Sequence, residues 1–158
     1  FMTAVIDQRA FDKITGYIER AQARDCCQVI VGGGFDDSEG WFIEPTIIVT
    51  TNPTSATMVE EIFGPVTSIF DFNNEEEAIK IANSTNYGLA SGVFTSDDQK
   101  AKWTAERIQA GIIWHNDWFV DGVNLPGGGY KKSGYGRDGG LDSLYSYGQT
   151  KRVSKRLQ

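Results

Sequence analysis

The sequence predicts an α/β fold built on a parallel sheet. Between residues 66 and 114 short runs rich in β-branched and small residues alternate with segments whose apolar residues recur at helical spacing. Short strands alternating with amphipathic helices imply parallel pairing through right-handed crossovers. The chain has 158 residues, 40% hydrophobic and 23% charged, which is the composition of an ordinary globular domain with a real core.

Each element has its own signal. Asp7 is placed to cap a helix in which Ala10, Phe11, Ile14, Ile18 and Ala21 share one face, with Lys13, Glu19, Arg20 and Arg24 largely on the other. A strand over Gln28 to Val31 is ended by Gly32-Gly33-Gly34, and residues 36–40 read as a solvated turn. Thr46 to Thr50 is a buried β-branched strand, and Val66 to Phe72 is the next. Asn74 with Glu77, and Ser96 with Gln99, have the spacing of capping boxes. Strands over Leu89 to Phe94 and Ile112 to Trp114 complete the alternation, with Gly111 as the stop of the preceding helix.

After Asn116 the period is lost. Residues 117 to 140 are rich in glycine and aromatics, and a long irregular stretch of this kind reads as a functional loop. Gly134-Tyr135-Gly136-Arg137-Asp138-Gly139 has the form of a dinucleotide fingerprint but follows Lys131-Lys132-Ser133 instead of an apolar strand. It reads as a loop whose glycines let backbones pack closely. The end of the chain, residues 146–154, reads as a terminal strand with basic residues on an exposed edge. The sequence thus divides into a main domain, 1–145, and a tail, 146–158.

Composition narrows the function. A net charge of −6 argues against nucleic acid and anionic membranes as partners. No apolar run reaches the roughly 20 residues of a membrane span, and no secretory signal is visible, so a cytoplasmic setting is expected. Cys26 and Cys27 are adjacent and form neither a metal framework nor a disulfide scaffold. Asp25 beside them would raise a thiol pKa, so neither is expected to be a nucleophile. No metal site is expected, and the single histidine, His115, reads as structural.

The stretch with most chemistry is Met58-Val59-Glu60-Glu61-Ile62-Phe63-Gly64-Pro65-Val66. Proline fixes its φ and keeps the preceding residue out of the helical region, and glycine tolerates the bend this requires. A rigid bend here presents Glu61 and Phe63 at the mouth of a strand. A fixed carboxylate and a fixed aromatic suit a ligand with hydroxyls and a flat ring. From spacing alone the same cluster also reads as a solvated acidic turn.

Glu60-Glu61-Ile62-Phe63-Gly64-Pro65-Val66 resembles a signature of the NAD(P)-dependent aldehyde dehydrogenases. The resemblance extends through Gly40-Trp41-Phe42-Ile43-Glu44-Pro45-Thr46, Asn86-Tyr87-Gly88-Leu89-Ala90, Gly111-Ile112-Ile113-Trp114-His115-Asn116 and the segment from Gly128 to Arg137. It implies the later part of that family's catalytic domain followed by a C-terminal oligomerisation strand. It also implies a cysteine thiolate that attacks an aldehyde, hydride transfer to NAD or NADP, and release of the acid by a glutamate-activated water. The family's nucleophile, base and main cofactor fold lie upstream of these motifs, so the resemblance implies no catalytic residue in this chain.

Glu61 matches the glutamate that binds the nicotinamide-ribose hydroxyls, and Phe63 the aromatic beside the nicotinamide ring. Asn116 matches a position near the substrate tunnel, and residues 117 to 127 a loop lining it. Gly127 departs from the pattern, since an aromatic is common there, and its absence should widen the tunnel wall. The first half resembles the pyrroline-5-carboxylate dehydrogenase branch. Asn116-Asp117-Trp118-Phe119 resembles the betaine-aldehyde and aminoaldehyde enzymes instead. That gives Asp117 and Asp121, with Trp118 and Phe119, as candidate contacts for a cationic aldehyde. The implied partners are a small aldehyde and further copies of the chain. The alternative reading is a non-catalytic binding or assembly module that retains the fold.

Overall fold

The computed structural model describes residues 2–120 and 122–157. The chain falls into two compact units, Phe1–Thr85 and Asn86–Gln158.

The first unit is organised by helix α1 (Gln8–Gln22). The Asp7 carboxylate accepts the Ala10 N–H at 2.8 Å, as the sequence predicts, and satisfies one orphan donor of the first turn. The apolar stripe is buried: Ile14 and Ile18 are 0% exposed and cluster with Phe11, Tyr17, Ile43 and Ile62. Burying one such isoleucine contributes about 1.5–3 kcal/mol. The unit also holds a three-stranded sheet, order β1-β4-β5, made of β1 (Cys27–Val31), β4 (Thr46–Thr50) and β5 (Val66–Ile69). β1 and β4 are antiparallel, with a register shift between Val29 and Val31, whereas β4 and β5 are parallel.

Three elements differ from the sequence expectation. Residues 36–40 turn inside a small antiparallel pair, β2 (Phe35–Asp36) with β3 (Phe42–Ile43). Two-residue strands are below the length at which alternation can be read. A single helical turn, α2 (Ala56–Val59), leads into the Glu-Glu bend. β5 ends at Ile69, three residues short of the expected Phe72.

Helix α3 (Glu75–Ala82) keeps half of the expected capping box. Asn74 Oδ1 accepts the Glu77 N–H at 2.9 Å, but Glu77 reaches past Asn74 to the backbone N–H of Asn73 at 2.7 Å and its side-chain amide at 2.9 Å. These donors, the backbone first, hold the Glu77 carboxyl below its ordinary range.

The second unit contains β6 (Tyr87–Gly88) antiparallel to β9 (Tyr130–Lys131), and β7 (Ala90–Val93) parallel to β8 (Ile112–His115). Parallel pairing, expected from the alternation over residues 66–114, is present between β7 and β8, while the parallel pair of the first unit joins β5 to the earlier β4. Helix α4 (Asp98–Ala105) is capped by Asp97, not Ser96, with the carboxylate accepting from Gln99 and Lys100 at 2.9 and 3.0 Å. An anionic acceptor at the positive end of the helix dipole is the stronger cap.

Gly111 is not the stop of this helix, which ends at Ala105 with Glu106 as its cap. It marks the start of β8, where a Cβ would fall on the Gly128 carbonyl oxygen. In the loop after residue 133, Gly134 and Gly136 have φ of +128° and +79° with open space around them. There glycine serves backbone conformation, not the close packing the sequence suggested; Gly139 shows both, with φ +75° and the Leu125 carbonyl against it.

The expected terminal strand takes another form in the single chain. Ser146 and Tyr147 belong to helix α5 (Asp142–Tyr147), and residues 148–157 pair with no described strand. A strand exists only with a ladder partner, and the local sequence pattern does not supply one. No helix among the described residues is long and apolar enough to cross a membrane.

Candidate functional site

The first unit holds Glu61 and Phe63 on a bend fixed at five points. Ile62 is 7% exposed and sits in the core beside α1. Gly64 lies so close to α1 that a Cβ there would come within 2.6–2.9 Å of three Ile14 side-chain atoms. The Tyr17 hydroxyl donates to the Glu60 carboxylate. The Lys13 ammonium donates to the Glu61 carbonyl at 2.7 Å. On the strand side, the Pro65 carbonyl accepts the Thr46 N–H at 2.8 Å, which joins the bend to the start of the β4–β5 ladder.

With Ile62 driven inward, its neighbours face out. Phe63 is 81% exposed and has φ +62°, a conformation a bulky L-residue adopts only when its surroundings impose it. The Glu61 side chain is exposed beside it. The two border an open concavity of about 850 Å³ that also involves Thr57, Met58, Thr67 and Ser68. The arrangement can accept hydrogen bonds from hydroxyl groups at Glu61 and offer a flat apolar face at Phe63.

The sequence did not show Lys13 and Tyr17 as supports. The helical stripe puts Lys13 on the polar face of α1, yet the i, i+4 spacing of Lys13 and Tyr17 puts both on the side that meets the bend. That spacing was the available signal.

In the second unit the candidate residues follow β8. Asn116 continues the strand through its backbone, donating to the Val93 carbonyl at 2.8 Å. Its side-chain amide grips the Thr95 peptide from both sides: Oδ1 accepts from the Thr95 N–H at 2.8 Å and Nδ2 donates to its carbonyl at 2.7 Å. Asn116 itself has φ +52°, a region in which asparagine is enriched. The amide therefore acts as one extra rung between the ends of β7 and β8, and turns the chain into the following loop.

That loop folds over Trp114. The Trp114 indole N–H donates to the Val120 carbonyl at 2.7 Å, and its ring lies 5.1 Å from that of Trp118 and 6.4 Å from that of Phe119. Trp118 and Phe119 remain 61% and 78% exposed. The Asp117 carboxylate accepts its neighbour's N–H, from Trp118, at 2.8 Å. His115 is exposed, with Nε2 3.3 Å from the Thr95 carbonyl oxygen. Asp121 lies outside the described residues.

Gly127 exchanges backbone hydrogen bonds with Asp138 at 2.7 and 2.8 Å. It lines an open concavity of about 1140 Å³ with Ile112, Val123 and Leu125. A Cβ at Gly127 would meet only Ile112 Cδ1, at 3.3 Å. No group of three or more His, Cys, Asp or Glu among the described residues is arranged to hold a metal ion.

Known proteins match this chain in sequence and in fold. The chain belongs to the aldehyde dehydrogenase family, whose pattern it matches over residues 1–153. It is 42% identical to a 2-aminomuconic semialdehyde dehydrogenase of Danio rerio, over 96% of this chain and 32% of the relative. It is 40% identical to a betaine aldehyde dehydrogenase of Brucella anthropi, over 96% of this chain and 32% of the relative.

Among solved structures, a betaine aldehyde dehydrogenase of Staphylococcus aureus in complex with NAD+ superimposes with a TM-score of 0.84 at 38% identity, covering 92% of this chain and 30% of that one. The NAD+ complex of an aldehyde dehydrogenase from Bacillus cereus gives 0.87 at 34% identity, covering 92% and 30%. The chain spans about a third of the length of the relatives it matches.

Proposed function

We propose that this chain forms the later part of an aldehyde dehydrogenase catalytic domain and supplies the nicotinamide-ribose contact and part of the substrate-tunnel wall. The observation that carries the reading is Phe63, held exposed at a positive φ beside the exposed Glu61. Backbone strain on an exposed aromatic persists only where surrounding contacts impose it, and such strain gathers at ligand sites. These residues fit NAD or NADP: the Glu61 carboxylate accepts hydrogen bonds from ribose hydroxyls, and the Phe63 ring packs beside the nicotinamide. A bound nicotinamide supplies the hydride acceptor for oxidation of an aldehyde to a carboxylic acid.

The nucleophilic thiolate is proposed to lie outside these 158 residues. Cys26 supports this, because its hydrogen bond with Cys27, and then burial, push its thiol pKa up, opposite to what a nucleophile needs. The purified chain with NAD and a panel of aldehydes is therefore expected to form no NADH. Turnover that disappears on replacing Cys26 or Cys27 would overturn the assignment.

For the substrate, Asp117 and Asp121 with the exposed Trp118 and Phe119 favour a cationic aldehyde. Asn116 serves this wall by positioning the loop, and Gly127 by leaving it open. The Brucella and Staphylococcus relatives named for betaine aldehyde support the reading. A quaternary ammonium compound is expected to quench tryptophan fluorescence of the chain at lower concentration than its neutral isostere, by about two- to fivefold for a cation–π contact of about 0.5–1 kcal/mol at an exposed ring. Equal quenching by both would sink the cationic assignment.

Residues 146–154, of which 146–147 end helix α5 and 148–154 pair with no described strand in the single chain, are proposed to pair as a strand with another subunit. A chain ending at residue 145 should then lose self-association in sedimentation; unchanged association would exclude this role.

A further inference from the structure

We propose that Cys26 and Cys27 form a preorganised dithiol site for a mono-organic arsenic(III) group. Side chains of neighbouring strand residues point to opposite faces. Here the two sulfurs converge to 3.8 Å, because Cys26 lies in the turn before β1 and Cys27 is the first residue of that strand. The backbone fixes both positions. The Cys27 N–H donates to the Arg24 carbonyl at 3.0 Å, and the Cys26 carbonyl accepts the Thr51 N–H at 2.9 Å. Cys27 Sγ also lies 3.5 Å from Thr50 Oγ1, its neighbour across the β1–β4 ladder. Both cysteines are free and half-buried.

The spacing favours a bridging atom over a direct disulfide. Cα atoms joined by a trans peptide are about 3.8 Å apart, below the roughly 4.4–6.8 Å that an unstrained disulfide spans. An atom bound about 2.3 Å from each sulfur, as in metal thiolates, would subtend an angle of about 110° across the 3.8 Å gap, so a small approach of the two sulfurs brings it to the narrower angle of a pyramidal trivalent centre. Soft thiols select soft, thiophilic centres. Structural zinc is not satisfied by two ligands, and no third His, Cys, Asp or Glu among the described residues completes such a set. Trivalent arsenic carrying one organic group needs only two sulfurs. In the step, the arsenic–oxygen bonds of the organoarsenic oxide break and two arsenic–sulfur bonds form. Both thiol protons leave with the oxygen as water, and arsenic stays trivalent, so no oxidant is required.

The test is intact-mass and thiol analysis of the full 158-residue chain treated with phenylarsine oxide in excess reduced glutathione. The expected result is one phenylarsenic group per chain, both thiols lost together, and release by a small dithiol but not by glutathione. Cys26→Ser and Cys27→Ser should each lower the resistance to glutathione at least tenfold. Loss of a single thiol, or wild-type adduct that glutathione removes as readily as from either variant, would overturn the site.

Discussion

Replacing Gly111 by alanine is expected to destabilise the chain by about 3 kcal/mol or more, at the upper end of overpacking effects. The added Cβ would fall on the Gly128 carbonyl oxygen, which is backbone and cannot rotate away. Gly111 also donates to the Gly88 carbonyl at 3.1 Å, and Ile112 to that of Leu89 at 3.1 Å, so the strand cannot retreat without breaking its entry into the β7–β8 pair. For a chain of this size that loss lowers the melting temperature by about 6–12 °C. Thermal unfolding followed by circular dichroism checks it. Gly127→Ala is the internal control, since its methyl would meet only Ile112 Cδ1 at 3.3 Å, and it should change stability by no more than about 0.5 kcal/mol. Equal melting of the two variants would show that the approach of Gly111 to Gly128 is not a constraint.

Replacing Gly64 by alanine acts on the bend itself. Its Cβ would meet Cδ1, Cγ1 and Cγ2 of Ile14 at 2.6–2.9 Å, and Ile14 is fully buried. The expected cost is about 1–3 kcal/mol, since either the isoleucine leaves its rotamer or the bend lifts from α1. The two positions should be strongly coupled. Ile14→Ala alone costs about 2–5 kcal/mol through its cavity, but the double variant should lose at least about 1 kcal/mol less than the sum of the singles. Denaturant unfolding of the four proteins measures this. Strict additivity would mean that Gly64 is not seated on Ile14.

Much of this was legible in the sequence because it depends on short-range patterns. The helical stripe from Phe11 to Ala21, the Asp7 and Asn74 caps and the Thr46 to Thr50 strand follow from spacing that local physics enforces. What stayed hidden depends on contacts distant in sequence. Glu77 reaches Asn73 instead of Asn74, and Asp97 displaces Ser96 as a cap, because the start of a helix is settled by one residue of register. Gly111 resembled a helix stop, and its partner Gly128 is seventeen residues away.

At the candidate site, Glu61 and Phe63 were identifiable from the Gly-Pro bend and the family signature. Their supports lie far upstream, Lys13 48 residues before Glu61 and Tyr17 43 before Glu60; the helical stripe puts Lys13 on the polar face and gives no sign of Tyr17. Asn116 was identifiable as a motif residue. Its grip on Thr95, which fixes the aromatic loop, has no signal in a single sequence.

The bend carrying Glu61 and Phe63 is proposed to face the nicotinamide end of the cofactor. Saturation-transfer NMR of NAD with this chain tests it most directly, because the method reports weak contacts proton by proton. Saturation is expected on the nicotinamide ring and adjoining ribose protons, with loss of the ring signal in Phe63→Ala and of the ribose signal in Glu61→Ala. Saturation confined to the adenine protons, or a nicotinamide signal unchanged in both variants, would contradict it.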